Sequence, residues 1–211
     1  MTVQFNRLFR FIVNTCKQYT IDESHGLKHS MDVFKYSQRI MNSEAIRTPT
    51  LINHKRIIYT TALLHDMCDK KYMDETIGLK RITDFLSTEL NYNFSEIEVI
   101  SRIISTMSYS KVKVSGFPEM KEYQLVYHIV READLLTAYD IDRCIVFNMN
   151  KSDADYTTSV VDACKLYQHR MRKHIDDELF VTETGLMIAK SLELDSLERL
   201  VELESLLTDE I

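Results

Sequence analysis

The stretch TALLHDMCDKKY, residues 61–72, decides how this chain reads. Apolar residues at helical spacing run through Leu51, Ile52, Ile57, Ile58, Ala62, Leu63 and Leu64 and stop at His65-Asp66. The chain then passes Cys68 and Asp69 into Lys70 and Lys71. Two adjacent polar side chains at the end of a buried run are costly unless something compensates them. The question is what His65 and Asp66 hold.

Outward from this stretch, apolar spacing of three and four predicts helices from about Val3 to Tyr19 and from about Leu27 to Met41. Thr48 reads as an N-cap with Pro49 at the first position of a helix that runs to His65. Asp74 caps a helix to about Leu90. Ser95-Glu96-Ile97-Glu98 has the form of a capping box and opens a helix to about Met107. SYSKVKVSGFP, residues 108–118, holds Gly116, Pro118 and an alternating Val112/Val114 pair, which predicts a loop with a short extended piece. Helical spacing resumes from Glu119 to about Asn148. The polar stretch NMNKSDADYTT, residues 148–158, separates this from a helix of about Ser159 to His174. Two more helices fit Glu183 to Leu192 and Leu194 to Leu207.

Only four glycines and two prolines occur in 211 residues, and no repeat or low-complexity tract interrupts them. The expected fold is all-α, a single domain over residues 1–211. Its core spans about 20–150, with C-terminal helices of about 156–208 packed on it. Leu192, Leu194, Leu197, Leu200, Val201, Leu203, Leu206 and Leu207 suffice to pack that end on the core or on a second subunit, as in a homodimer. A net charge of −6 argues against partners such as nucleic-acid polymers or anionic membranes, which select excess Lys and Arg. A small anionic substrate needs only a few local cations.

The four cysteines, Cys16, Cys68, Cys144 and Cys164, form no C-x-x-C pair, which excludes zinc-ribbon and thioredoxin-like readings. Their dispersal fits reduced thiols and a cytoplasmic location. Cys68, with no cysteine near it, reads as a packing residue. Arg7 and Arg10 interrupt MTVQFNRLFRFIVNTC, so this segment does not read as a signal peptide. No apolar run approaches the ~20 residues of a spanning helix.

Three further residues complete the question posed by His65-Asp66. His25 and His29 stand four apart in SHGLKH and share a helical face. Asp134 lies inside the apolar run VYHIVREADLLTAY, residues 126–139. Two imidazoles and two carboxylates from three helices suit one divalent ion, namely Mn, Mg, Fe, Co, Ni or Zn. Four protein ligands leave octahedral positions open for water and substrate. The structural alternative is a buried histidine bonded to a carboxylate, with Asp134 capping or pairing with Arg131. His128 lies six before Asp134, off its face, so one metal is expected rather than two. His169 and His174 read as surface residues on a polar helix, and His54 as exposed.

The order H … HD … D resembles the HD-domain superfamily of metal-dependent phosphohydrolases. DESHGLKHSMDV, TALLHDMCDKKY, VREADLLTAYDIDR and ELFVTETGLMIAKSLEL are similar to consecutive landmarks of its small bacterial nucleotide pyrophosphohydrolase-type members. The resemblance spans about residues 20 to 200 and implies an all-α HD fold with one divalent metal. It places the metal on His29, His65, Asp66 and Asp134. His29 is favoured over His25 by its distance from Val33, and His25 matches an accessory histidine that contacts substrate or supports the ligands. Asp69 and Lys71 match the family's D-x-K, and MSYSK resembles I-S-F-K with one extra residue before Lys111. Arg131-Glu132 replaces Gln-Asp, Leu135 replaces Arg, Thr137 replaces a second Asp, and the stretch before Arg143 is shorter. These departures flank the motif aspartate and bear on substrate identity.

The chemistry implied is hydrolysis of a phosphorylated small molecule, most readily a nucleoside triphosphate with release of pyrophosphate. Asp69 would orient water or accept its proton, unless it simply pairs with Lys70 or Lys71. His25, Lys71 and Lys111 would bind substrate, and Lys113 sits in the same loop. An HD phosphomonoesterase or phosphodiesterase acting on nucleoside mono- or cyclic phosphates fits the same motif. So does a nucleotide-binding HD module without turnover, and a helical interaction protein without metal is the bland reading.

Overall fold

The computed structural model describes residues 2–152 and 154–208, and among these no strand occurs. The helices are α1 (Thr2–Tyr19), α2 (Leu27–Arg47), α3 (Lys55–Leu64), α4 (Glu75–Thr88), α5 (Phe94–Thr106) and α6 (Tyr109–Ser115). After them come α7 (Gln124–Thr137), α8 (Ile141–Ser152), α9 (Tyr156–Leu166), α10 (Lys173–Asp176) and α11 (Glu183–Thr208). The chain is an all-α helical bundle. None of these helices is long and apolar enough to cross a membrane.

α7 is the axis of the bundle. Almost every residue from Val126 to Thr137 is buried, and the helix packs on α2, α3 and α11. A helix buried on all faces belongs at the centre of a larger core. α3 is buried from Ile57 through Leu64 and fills the space between α2, α5 and α7. α1 contributes Leu8 and Ile12 to the same apolar cluster, so the core extends N-terminally of residue 20. The axis places Asp134 of α7 beside the end of α3, where His65 and Asp66 lie.

Several boundaries differ from expectation for local physical reasons. Pro49 opens a 3₁₀ turn, Pro49–His54, and the α-helix starts only at Lys55. The Thr48 side chain makes no cap bond. The capping box of α5 is formed by Asn93 and Glu96, with Asn93 Oδ1 accepting from Glu96 N at 2.9 Å and Glu96 Oε2 from Asn93 N at 3.0 Å. Ser95 therefore lies within the first turn. Asp74 does cap α4, accepting from Ile77 N at 3.0 Å.

The stretch expected to be a loop contains α6, which buries Val112, leaves Val114 exposed and ends at Gly116 with φ +69°. A positive φ there favours glycine as the helix stop. α7 and α8 are separate, because the chain turns at Ala138–Asp140 and the Asp140 carboxylate accepts from Arg143 N at 3.2 Å. The helix expected from Ser159 starts earlier, at Tyr156, capped by Asp155, and gives way to a π turn at Tyr167–Met171. Of the polar separator, the described residues Ala154 and Asp155 stand outside helices, and Asp153 lies outside the described residues. The two C-terminal helices are one, α11, whose Ser196 Oγ donates to Tyr139 O at 2.6 Å.

His174 corrects a surface assignment. It is wholly buried, against Tyr109 and Tyr139. Its helix is polar on one side only, and α10 turns the histidine inward. His169 is exposed and His54 half-buried.

Candidate metal centre

α2 supplies His29, the turn after α3 supplies His65 and Asp66, and α7 supplies Asp134. Their polar atoms converge. His29 Nε2 lies 3.0 Å from His65 Nε2, 3.1 Å from Asp66 Oδ2 and 3.4 Å from Asp134 Oδ1. His65 Nε2 lies 3.4 Å from Asp66 Oδ1 and 3.6 Å from Asp134 Oδ1. His29, His65 and Asp66 meet the spacing of a metal-binding group. Both imidazoles are buried, whereas the side chains of Asp66 and Asp134 are 16% and 28% exposed, so the cluster opens on its carboxylate side.

The residues fit a divalent ion on two counts. Donors that share one ion at about 2.0–2.2 Å stand about 3 Å apart, which is the spacing observed. His65 Nδ1 donates to Ala62 O at 2.8 Å, which fixes the tautomer and leaves the Nε2 lone pair facing the cluster. His29 has no such orienting partner at Nδ1.

The charges are mutually dependent. Burial works against the His65 cation, but the Asp66 and Asp134 carboxylates overcome it and raise its pKa well above the ordinary histidine range. Burial likewise works against both carboxylates, yet His65 and His29 hold Asp66 and Asp134 well below theirs. The cluster calls for positive charge at its centre.

A cleft of about 300 Å³ lies over the carboxylate side, lined by His65, Asp66 and Asp134 at its floor. Lys70, Lys71, Lys111, Arg143 and Arg170 bring cations to its walls. Tyr109, Leu135, Phe147, Leu166 and Met171 supply apolar and aromatic surface. His25, Asp69, Lys71 and Lys111, the remaining residues singled out in the sequence, all line this cleft.

Their partners refine their roles. Asp69 Oδ1 accepts from the Lys71 backbone N–H at 2.8 Å, and its Oδ2 lies 3.5 Å from Lys71 Nζ. Lys111 is ion-paired with Glu75. His25 accepts at Nε2 from Lys71 Nζ at 2.8 Å. Its Nδ1–H donates to Ser24 Oγ at 2.7 Å, since the Ser24 hydroxyl donates to Asp22. Burial, together with the Lys71 and Arg143 charges and against the pull of Asp66, lowers the His25 pKa to about 4, so the ring is a neutral acceptor. Cys68 is buried, and burial pushes its thiol up to about 12, in keeping with a packing role.

Arg143 stands in the sequence only as the end of a landmark, with no role in the site assigned to it. Its Nε donates to Ser24 O at 2.6 Å and its Nη1 to Thr137 Oγ1 at 2.9 Å, while Nη2 lies 3.4 Å from His29 Nε2. No periodicity links it to Asp134, because the break between α7 and α8 falls between them. Arg170 enters from the π turn and lies 4.2 Å from the Tyr109 ring centroid.

Arg131 and Glu132 are absent from the cleft walls, contrary to the expectation that they bear on substrate. Arg131 Nη2 donates to Leu179 O at 2.5 Å, and its guanidinium sits 4.5 Å from the Phe117 ring centroid. Glu132 accepts from Val181 N at 2.8 Å, Thr182 N at 3.1 Å and Thr182 Oγ1 at 2.5 Å. The pair ties α7 to the entry of α11. Asp134 pairs with the two histidines, not with Arg131.

No known family model matches the chain, and no curated protein matches it. A protein from Lactobacillus plantarum, solved as a structural-genomics target and carrying no functional name, has a similar structure. The two share 17% identity with a TM-score of 0.72, over 100% of this chain and 99% of the other. At this identity the likeness shows the fold alone.

Proposed function

We propose that this chain is a metal-dependent phosphohydrolase of the HD type that acts on a nucleotide. The preferred reaction is hydrolysis of a nucleoside or deoxynucleoside triphosphate with release of pyrophosphate. One observation carries the reading: His29, His65, Asp66 and Asp134 converge, and the last three form the floor of a cleft walled by five cations. The H … HD … D order and the matching landmarks along the chain support it.

When bound, a divalent ion would lower the pKa of a water toward neutrality and offset phosphate charge. His29, His65, Asp66 and Asp134 would hold it. The chain's own cations do the rest of the electrostatic work, since phosphoryl transfer depends on positioning and on charge cancellation at the phosphate oxygens. Arg143 Nη2 lies 3.4 Å from His29 Nε2, and Lys71 is bonded to His25. Lys111 and Arg170 line the wall nearer α6. Asp69 orients the attacking water or takes its proton once a substrate phosphate draws Lys71 away from it. The apolar side of the cleft, with Tyr109, Phe147 and Leu135, receives the nucleoside and excludes water.

The test is product analysis. Metal-loaded protein is given a panel of nucleoside tri-, di- and monophosphates and cyclic nucleotides. Pyrophosphate release from a triphosphate supports the proposal. Orthophosphate from a monophosphate, or a ring-opened monophosphate, moves the assignment to a phosphomonoesterase or phosphodiesterase. No product from any of them would refute a hydrolase.

A further inference from the structure

We propose that the turn Asp22–His25 aims two cations, Arg143 and Lys71, at one phosphate group beside the His29/His65 cluster. This turn has no part in holding the metal. Its Ser24 carbonyl accepts from Arg143 Nε at 2.6 Å, and its His25 ring accepts from Lys71 Nζ at 2.8 Å. One short segment thus fixes both cations.

The turn is itself anchored. Asp22 Oδ1 accepts from Ser24 N at 2.9 Å and from the Ser24 hydroxyl, and Asp22 Oδ2 accepts from Tyr72 O–H at 2.5 Å. With its proton given to Asp22, Ser24 Oγ receives the His25 Nδ1–H, which leaves His25 Nε2 as the acceptor for Lys71. The chain of bonds runs in one direction, from Lys71 through His25 and Ser24 to Asp22.

α8 brings the two cations together. Arg143 and Phe147 are four apart on this helix and share a face. Lys71 Nζ lies 5.2 Å from the Phe147 ring centroid, and His25 packs 5.1 Å from the same ring. Thr137 Oγ1 accepts from Arg143 Nη1 and holds the far edge of the guanidinium. Arginine carries five N–H donors in a rigid fork. Those not directed at Ser24, Thr137 and His29 remain for a ligand in the cleft.

A fixed guanidinium beside a fixed ammonium matches the oxygens of a phosphate or pyrophosphate group. Pinning both side chains beforehand removes much of the ordering cost of binding. His25 is then a positioning residue for Lys71, and Thr137 and Ser24 are positioning residues for Arg143. Which phosphate compound arrives rests on the phosphohydrolase reading. The anion clamp is testable without turnover.

The probe is inorganic pyrophosphate, titrated calorimetrically into the full chain after chelation of metal, at constant ionic strength. The parent is expected to bind. Arg143→Gln and Lys71→Gln should each weaken binding about tenfold, the loss expected for one charge-assisted contact. Thr137→Val keeps every charge but removes a bond that orients Arg143, and should weaken binding about two- to fivefold. Lys80→Gln, a surface control, should bind as the parent does. If Arg143→Gln does not fold by circular dichroism, Arg143→Lys, which lacks the fork, is read in its place with the same expected loss. No pyrophosphate binding by the parent at millimolar concentration would overturn the clamp. So would binding within twofold of the parent in both cation variants. If no nucleotide is hydrolysed but pyrophosphate binding still depends on Arg143 and Lys71, the hydrolase reading falls and the clamp stands.

Discussion

His29 and His65 face each other with their Nε2 atoms 3.0 Å apart, and each is flanked by the Asp66 and Asp134 carboxylates at 3.1–3.6 Å. Two nitrogen lone pairs at that separation repel unless a proton or a cation lies between them. A chelator should therefore destabilise the purified protein, and a divalent ion should restore it. At an ion concentration of about 100 times Kd, linkage adds about 2.7 kcal/mol. For a chain of this size that raises Tm by about 5–10 °C. Differential scanning fluorimetry with Mn, Ni, Zn and Mg salts checks it, and an unchanged Tm with every ion counts against the centre.

The Glu132–Thr182 contact predicts a large loss of stability that is independent of the cleft. Glu132→Ala leaves Arg131 buried without its carboxylate and should cost about 3–5 kcal/mol in urea unfolding. Gly185→Ala should be comparably harmful, because a Cβ there runs into the Glu132 carboxylate. Folded protein of either variant should keep the parent's metal content. Loss of metal at full stability would place the pair in the site after all.

Asn93→Ala should cost about 1 kcal/mol, the worth of an N-cap, while Ser95→Ala should change stability by under about 0.5 kcal/mol. The reverse order would restore the serine as the cap of α5.

His128 and His174 make stability pH-dependent. Burial lowers each of their pKa values from 6.5 to about 4, helped by nearby arginines. The folded chain keeps them neutral, whereas the unfolded chain protonates them near pH 6.5. Between pH 6.5 and about 4 the unfolded state binds more protons, so stability is full above pH 6.5 and falls with pH through that window. Each histidine contributes roughly 2–4 kcal/mol to that fall. His174→Phe should flatten the acid limb of urea midpoints measured from pH 7.5 to 4.5. It should not destabilise at pH 7.5, because neither ring nitrogen of His174 has a partner to lose. An unaltered acid limb would contradict this.

The candidate cluster was legible because His65-Asp66 at the end of an apolar run and the mid-helix Asp134 both need a compensating partner, and because their order with His29 resembles H … HD … D. The helical class was legible from periodicity and the scarcity of glycine and proline. The rest depended on tertiary structure. Arg143 looks like any surface arginine until α8 folds back on the Asp22–His25 turn. Val112 and Val114 alternate like a strand, but only Val112 finds a core to enter, and α6 forms around it. Arg131 and Glu132 adjoin Asp134 in sequence, yet the helical rotation between neighbours turns them toward Leu179–Thr182. His174 read as polar surface because its neighbours are charged, and a single inward turn of α10 buries it.

Elemental analysis of the purified full chain after exhaustive dialysis tests the central claim most directly. The account predicts about one divalent ion per chain in the parent. It predicts less than about a tenth of that in His65→Gln and Asp134→Asn variants that still fold by circular dichroism, because each loses a charged or lone-pair donor to the same ion. A parent that cannot be loaded with any divalent ion, or variants that retain the parent's content, would contradict it.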